Sequence, residues 1–148
     1  MSESTIRAAI KTTLSGVSNI GQVHDYERWA SDWSKFIAFF KVRISGVDHV
    51  RGWEIGRKAP ISEDETSVKK HTYAIKGYMG VDDAAQSEKT FNTLVDAAAA
   101  AFRSDRTLGG AALGHDFIQV DALDTRSFGG VLCHYAELSL TVYEHITG

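Results

Sequence analysis

The stretch Phe117-Ile-Gln-Val-Asp-Ala-Leu-Asp-Thr-Arg-Ser-Phe128, then Gly129-Gly130, then Val131-Leu-Cys-His-Tyr-Ala-Glu-Leu-Ser-Leu-Thr-Val-Tyr-Glu-His145 decides the fold. Two long segments meet at a Gly-Gly pair, and both glycines can take the positive φ that a tight hairpin needs. In the second segment Ala136, Leu138, Leu140 and Val142 fall on one face. Tyr135, Glu137, Ser139, Thr141 and Tyr143 fall on the other. A period of two residues is that of a half-buried antiparallel strand.

Upstream, His71 to Gly80 alternates in the same way, with Tyr73, Ile75, Gly77 and Met79 against Thr72, Ala74, Lys76 and Tyr78. Val50 to Ala59 predicts another strand, Trp53 and Ile55 on one face and Glu54 on the other. The polar run Pro60 to Lys70 between them predicts a loop, mobile in the free subunit and ordered in an assembled particle.

Three segments carry helical spacing. Ile6, Ala9, Ile10, Thr13 and Leu14 form one stripe, with Ser4 or Thr5 as cap and Gly16 as stop. Trp33, Phe36, Ile37 and Phe40 form a second, capped by Ser31 or Asp32. Phe91, Leu94, Val95, Ala98 and Phe102 form the longest, capped by Asp82 or Asp83 and ending near Ser104. Its five consecutive alanines, Ala97 to Ala101, favour helix and close approach to a sheet. Thr107 to Gly114 is glycine-rich and predicts a loose connector, and Gln22 to Tyr26 predicts a short extended segment. The expected fold is one α+β domain over residues 1–148. It has an antiparallel sheet of about four main strands, backed on one face by two to three helices.

Composition narrows the function classes. A length of 148 residues fits one domain, with 43% hydrophobic and 24% charged residues as in ordinary globular proteins. A formal charge of −3 gives no footprint for nucleic-acid binding. No apolar run approaches the roughly 20 residues that cross a bilayer, and the N-terminus carries no secretory signal pattern. Cys133 is the single cysteine, so neither an internal disulfide nor a cysteine-based zinc site is expected, and a reducing cytoplasm is the expected place of synthesis.

His24 and Asp25 are adjacent, and neighbours on a strand point to opposite faces. Cys133 and His134 meet the same objection, and Cys133 begins a strand, where nothing lowers its pKa. His134, Glu137 and His145 cannot close a metal site alone, since His134 and His145 lie about 35 Å apart along a strand. Gly109-Gly110 with Gly114 follows a helix and lacks the Gly-Lys-Ser/Thr ending of a phosphate loop. No catalytic residue, cofactor or metal is therefore expected.

The segment Ile20-Gly-Gln-Val-His-Asp-Tyr-Glu-Arg-Trp29 is rich in rings and charges without any such spacing, and Trp53 to Ala59 echoes it. Tyr26, Trp29, Trp33, Phe36, Phe39 and Phe40 place six rings within fifteen residues. That exceeds what a short amphipathic segment hides, so one or two should lie at an interface, where aromatics and arginine are enriched.

With these pieces in order, the chain resembles the tail terminator (tail completion) proteins of long-tailed bacteriophages. The likeness rests on Ile6 to Leu14, Gly21 to Trp29, Trp33 to Phe36, Arg51 to Ala59, the Phe91 to Phe102 helix and the final hairpin. The resemblance implies a structural protein that forms a hexameric ring on the head-proximal end of the tail tube. Such a ring stops tube polymerisation and joins the tube to the head. It implies as partners other copies of the chain, the tail tube protein and a head-completion (neck) protein, with DNA only as passing cargo and no membrane. The location implied is the host cytoplasm during assembly and the virion thereafter. A ring needs heterologous contacts. One patch is expected from Asp25, Arg28, Trp29 and Asp32, and the opposing one from the strand carrying Arg51 and Arg57. The acidic run Glu63, Asp64 and Glu65 is expected to order on a partner.

The main rival is a cone-shaped α+β barrel of the cystatin-like kind that binds or isomerises a small molecule. It requires an acid-base group in an apolar cavity, and the predicted inward faces show no clear carboxylate. A different neck protein is the other alternative.

Overall fold

The structure is a computed structural model that describes residues 1–147. Helix α1 (Glu3–Ser15) begins one turn earlier than the stripe alone suggests. Its cap is Ser2 and not Ser4 or Thr5: the Ser2 hydroxyl accepts the Thr5 amide at 3.2 Å, and Thr5 Oγ1 accepts the Ser2 amide at 2.9 Å. This reciprocal pair satisfies two amides that a helix start leaves open. Gly16 ends the helix, and Ile6, Ile10 and Leu14 are its buried face.

The sheet has seven strands: β1 (Gln22–His24), β2 (Lys41–Ile44), β3 (Val47–Glu63), β4 (Val68–Gly80), β5 (Gly114–His115), β6 (Gln119–Phe128) and β7 (Val131–His145). Their order is β1-β3-β4-β7-β5, with β2 also paired to β3 and β6 to β7. β1 runs parallel to β3, and every other pair is antiparallel. The expectation of about four strands in an antiparallel sheet is thus corrected: the sheet is mixed, seven-stranded and curled into a half-barrel. The strands missed are β2 and β5, of four and two residues, while β1 falls within the expected extended segment Gln22 to Tyr26. Neither β2 nor β5 spans enough residues to display a period of two.

The expected loop Pro60 to Lys70 is also corrected. β3 and β4 run on through it, pairing Ser62 with Lys70 and Glu63 with Lys69, and only Asp64 to Ser67 forms the turn. Asp64 Oδ1 closes that turn by accepting the Thr66 amide at 2.9 Å, the Thr66 hydroxyl at 2.6 Å and the Val68 amide at 3.1 Å. This arm has little core beneath it, so its residues are polar on both faces and read as loop.

The helices do not share one face. α1 and α3 (Ser87–Arg103) cover the side of the sheet that carries Trp53, Ile55, Tyr73, Ile75, Ala136, Leu138, Leu140 and Val142, and these form the main core. Helix α2 (Trp33–Phe40) lies on the opposite side, where Phe36 and Phe40 pack with Tyr78, Cys133 and Tyr135 in a second apolar cluster. Gly77 permits the first arrangement, since a Cβ there would run into the Trp53 ring. Asp82 caps a 3-10 turn at Asp83–Ala85 rather than α3 itself. α3 then starts after Gln86, whose φ is 56°, and its last residue is followed by Ser104 as cap. No helix among the described residues is long and apolar enough to cross a membrane.

Candidate functional site

After β1 the chain leaves the sheet edge and crosses the second face to reach α2. Side chains fix that crossing. The Arg28 amide donates to Glu54 Oε2 at 3.0 Å, and Arg7 Nη1 donates to the Asp25 carbonyl at 3.0 Å. Glu27 pairs with Lys58 and, at 3.8 Å, with Lys76. It lies over Gly56, where a Cβ would collide with its carboxylate. The Lys58 ammonium holds the Glu27 carboxyl below the usual carboxylate range, against the opposing pull of burial.

His24 is not oriented by Asp25. Its Nε2 lies 2.7 Å from the Phe39 carbonyl, which can only accept, so Nε2 carries the proton and Nδ1 receives Arg28 Nη1 at 3.2 Å. The Arg28 guanidinium also lies over the Phe39 ring at 4.0 Å and the Tyr26 ring at 5.1 Å. Asp32 caps α2, its Oδ1 accepting the Lys35 amide at 2.9 Å. Beyond these anchors Trp29 is 83% exposed, Trp33 60% and Tyr26 53%, whereas Phe36 and Phe40 are buried.

Between this crossing segment, α2 and the sheet lies a cavity of about 280 Å³. Its walls include Phe36, Phe39, Phe40, Phe128, Tyr78 and Tyr135, with Trp29 and Gly129 also contributing. Glu54 lines it while being only 5% exposed. The Tyr78 hydroxyl donates to Glu54 Oε1 at 2.8 Å, and the Tyr135 hydroxyl donates to Glu137 Oε2 at 2.9 Å. Burial, reinforced by these carboxylates, raises both phenols above their ordinary value. The expectation that no clear carboxylate would face a cavity is therefore corrected by Glu54. A single acid in an alternating strand looks like a solvent-facing residue. The signal that could have revealed it is the pair of flanking glycines, Gly52 and Gly56, which leave room for Phe40 and Glu27 to lie across the strand.

The remaining predicted residues lie apart. Arg51 is buried, with Nη1 donating to the Asn19 carbonyl at 3.0 Å, and burial lowers its pKa. Arg57 is half-buried, and its buried Nε has no hydrogen-bond partner. Glu63, Asp64 and Glu65 are exposed at the β3–β4 tip. Cys133 belongs to the second cluster, while His134 points to the other face toward Ser87.

Two features had no signal in the sequence reading. Ser87 Oγ lies 2.7 Å from His134 Nε2 and accepts the Asp82 amide at 2.8 Å. Both side chains are buried, so the pair fastens the start of α3 to β7. The second feature is the open outer edge of β6, a strand the sequence does predict, whose residues are exposed apart from Ala122 and Phe128. Among the described residues β6 is bonded only to β7, leaving its other edge open. Val120 and Leu123 on it, Phe117 before it and Leu132 beside it are exposed apolar residues.

No family model matches the chain, and no curated protein matches it.

Proposed function

We propose that the chain is a structural subunit of a phage tail, a terminator that assembles as a ring on the head-proximal end of the tube, stops its growth and presents the surface for head joining. The observation that carries this reading is the apolar surface left uncovered. Trp29, Trp33, Phe117, Leu132, Leu123 and Val120 are 45% to 83% exposed, and a strand edge stands open beside four of them. Surface of this kind marks contact with other proteins. The link to a tail comes from the sequence resemblance. Its partners are further copies of the chain, the tube protein and a neck protein, with no catalytic role for the chain itself. Silencing the gene in its phage should give tails of uncontrolled length and unjoined heads, and normal particles would overturn the proposal.

One observation favours a second reading, a cystatin-like domain that binds or isomerises a small molecule. It is the buried Glu54–Tyr78 pair beside the aromatic cavity. Turnover lost in Glu54→Gln, together with normal particles from the silenced gene, would select it over assembly.

A further inference from the structure

We infer that the cavity beneath the crossing segment is a binding site for one cationic group, an alkylammonium or a guanidinium. The inference concerns recognition at that cavity and is independent of whether the chain caps a tail.

The charges come first. Glu27, Glu54, Arg28 and Lys76 contribute to the cavity wall. Glu27 is matched to Lys58 and Lys76, and Arg28 is held by His24 Nδ1 and two ring faces. Glu54 differs. Its donors are the Tyr78 hydroxyl and the Arg28 main-chain amide, both neutral. Among the described residues it forms no ion pair with a Lys, Arg or His nitrogen within 4.0 Å. A carboxylate has about four lone-pair sites, so Glu54 keeps capacity for a charged donor. A buried carboxylate without a cationic partner is costly, and an entering cation would offset that cost.

The walls supply the second half of the recognition. Phe36, Phe39, Phe40 and Tyr135 surround the space with rings, and ring faces attract cations most strongly where water is displaced. The chain already uses this contact, with Arg28 over Phe39 and Arg126 at 4.4 Å over the outer part of the cluster at Tyr135. Size then limits the occupant. At about 280 Å³ the cavity lies below the usual range for drug-sized ligands. It suits one lysine- or arginine-sized group and excludes a nucleotide or flavin. An anion would meet Glu54 while the cations of the wall are engaged, Lys76 with Glu27 and Arg28 with His24 and two rings, and a neutral apolar group would leave Glu54 without a charged partner.

The test uses the full chain and defined probes, with binding followed by tryptophan fluorescence and by NMR shifts of the tyrosine rings. Nα-acetyl-lysine methylamide and Nα-acetyl-arginine methylamide represent a protein side chain, n-butylammonium represents a free amine, and Nα-acetyl-norleucine methylamide is the neutral control. The cationic probes should bind at least tenfold more tightly than the control, consistent with the 1.5–3 kcal/mol or so of a charged hydrogen bond. Glu54→Gln should remove that preference. Binding by the amino-acid probes alone would assign the site to a neighbouring protein's side chain, and binding by butylammonium as well would assign it to free amines too. Equal binding of the neutral control, an unchanged preference in folded Glu54→Gln, or no cation binding at about 10 mM would overturn the inference. If Glu54→Gln fails to fold, Tyr135→Leu replaces it, removing a ring and keeping the charge. A preference for cations undiminished in that variant would equally overturn it.

Discussion

Tyr78 and Glu54 meet diagonally across β3 and β4, the phenol donating to Oε1 at 2.8 Å beneath a helix on the less covered side of the sheet. The contact joins the second apolar cluster to the crossing segment, because Oε2 of the same carboxylate receives the Arg28 amide. Tyr78→Phe keeps the ring and leaves a buried acceptor without its donor. It should cost about 1–3 kcal/mol, read as a lower urea midpoint with an unchanged slope. A variant as stable as the parent would show that water replaces the phenol and that the cavity is wetter than its rings suggest.

The Glu27 pairs should be visible as a pH dependence. Lys58 depresses the folded-state pKa of Glu27. The stability they contribute is present above the carboxylate's unfolded value and is lost as the pH falls through the folded one. Glu27→Gln should therefore destabilise by about 1 kcal/mol at neutral pH, and the gap should shrink as the pH falls below the ordinary carboxylate range. Denaturation of both proteins at three pH values measures it. A gap that stays constant into acid would mean that packing over Gly56, and not charge, is what the variant removes.

Gly77 is predicted to be intolerant of even one methyl group. Its added Cβ would meet the six-membered ring of Trp53, which is fully buried. Overpacking of this kind costs about 1–3 kcal/mol. Thermal unfolding of Gly77→Ala should show the loss, and an unchanged midpoint would mean that the ring has room to move.

Cys133 should be inert in the native protein. Burial pushes its thiol up to about 12, so thiolate is scarce at pH 8. A thiol-reactive disulfide reagent should label it only on unfolding. Rapid stoichiometric labelling of the native chain would mean that α2 opens readily from the sheet.

Much of the fold could be read because burial and periodicity coincide. Ile6, Ile10 and Leu14 on α1, the stripe Phe91, Leu94, Val95, Ala98 and Phe102 on α3, and Ala136, Leu138, Leu140 and Val142 on β7 all lie in the main core. What escaped the reading was structure with no such periodicity. The β2–β3 hairpin turns at Ser45 and Gly46, with φ of 52° and 80°, on only four residues of β2. The outer β3–β4 arm is polar on both faces. The side taken by α2 could not be read either, because Phe36 and Phe40 would suit any apolar surface. At the site, the exposure of Trp29 and Trp33 fits the excess of rings in the sequence. Glu54, Tyr78 and Tyr135 came together only through strand register.

The surface residues offer a test that spares the fold. Trp29→Ala with Leu123→Ser changes two side chains that are 83% and 49% exposed. Such substitutions shift stability by about 0.5 kcal/mol or less, so the circular dichroism spectrum and melting point should hardly change. The ring assembly proposed above, followed by native mass spectrometry, should be lost. A folded double variant that still forms rings would remove this surface from the interface.

The most direct measurement of the proposed function is the length of tail tubes polymerised from the tube protein that the proposal gives this chain as partner, imaged by negative-stain electron microscopy with and without the purified protein. The account predicts ring-shaped density at one end only and arrest of elongation once that end is occupied. Tubes of unchanged length, with no density at either end, would contradict it.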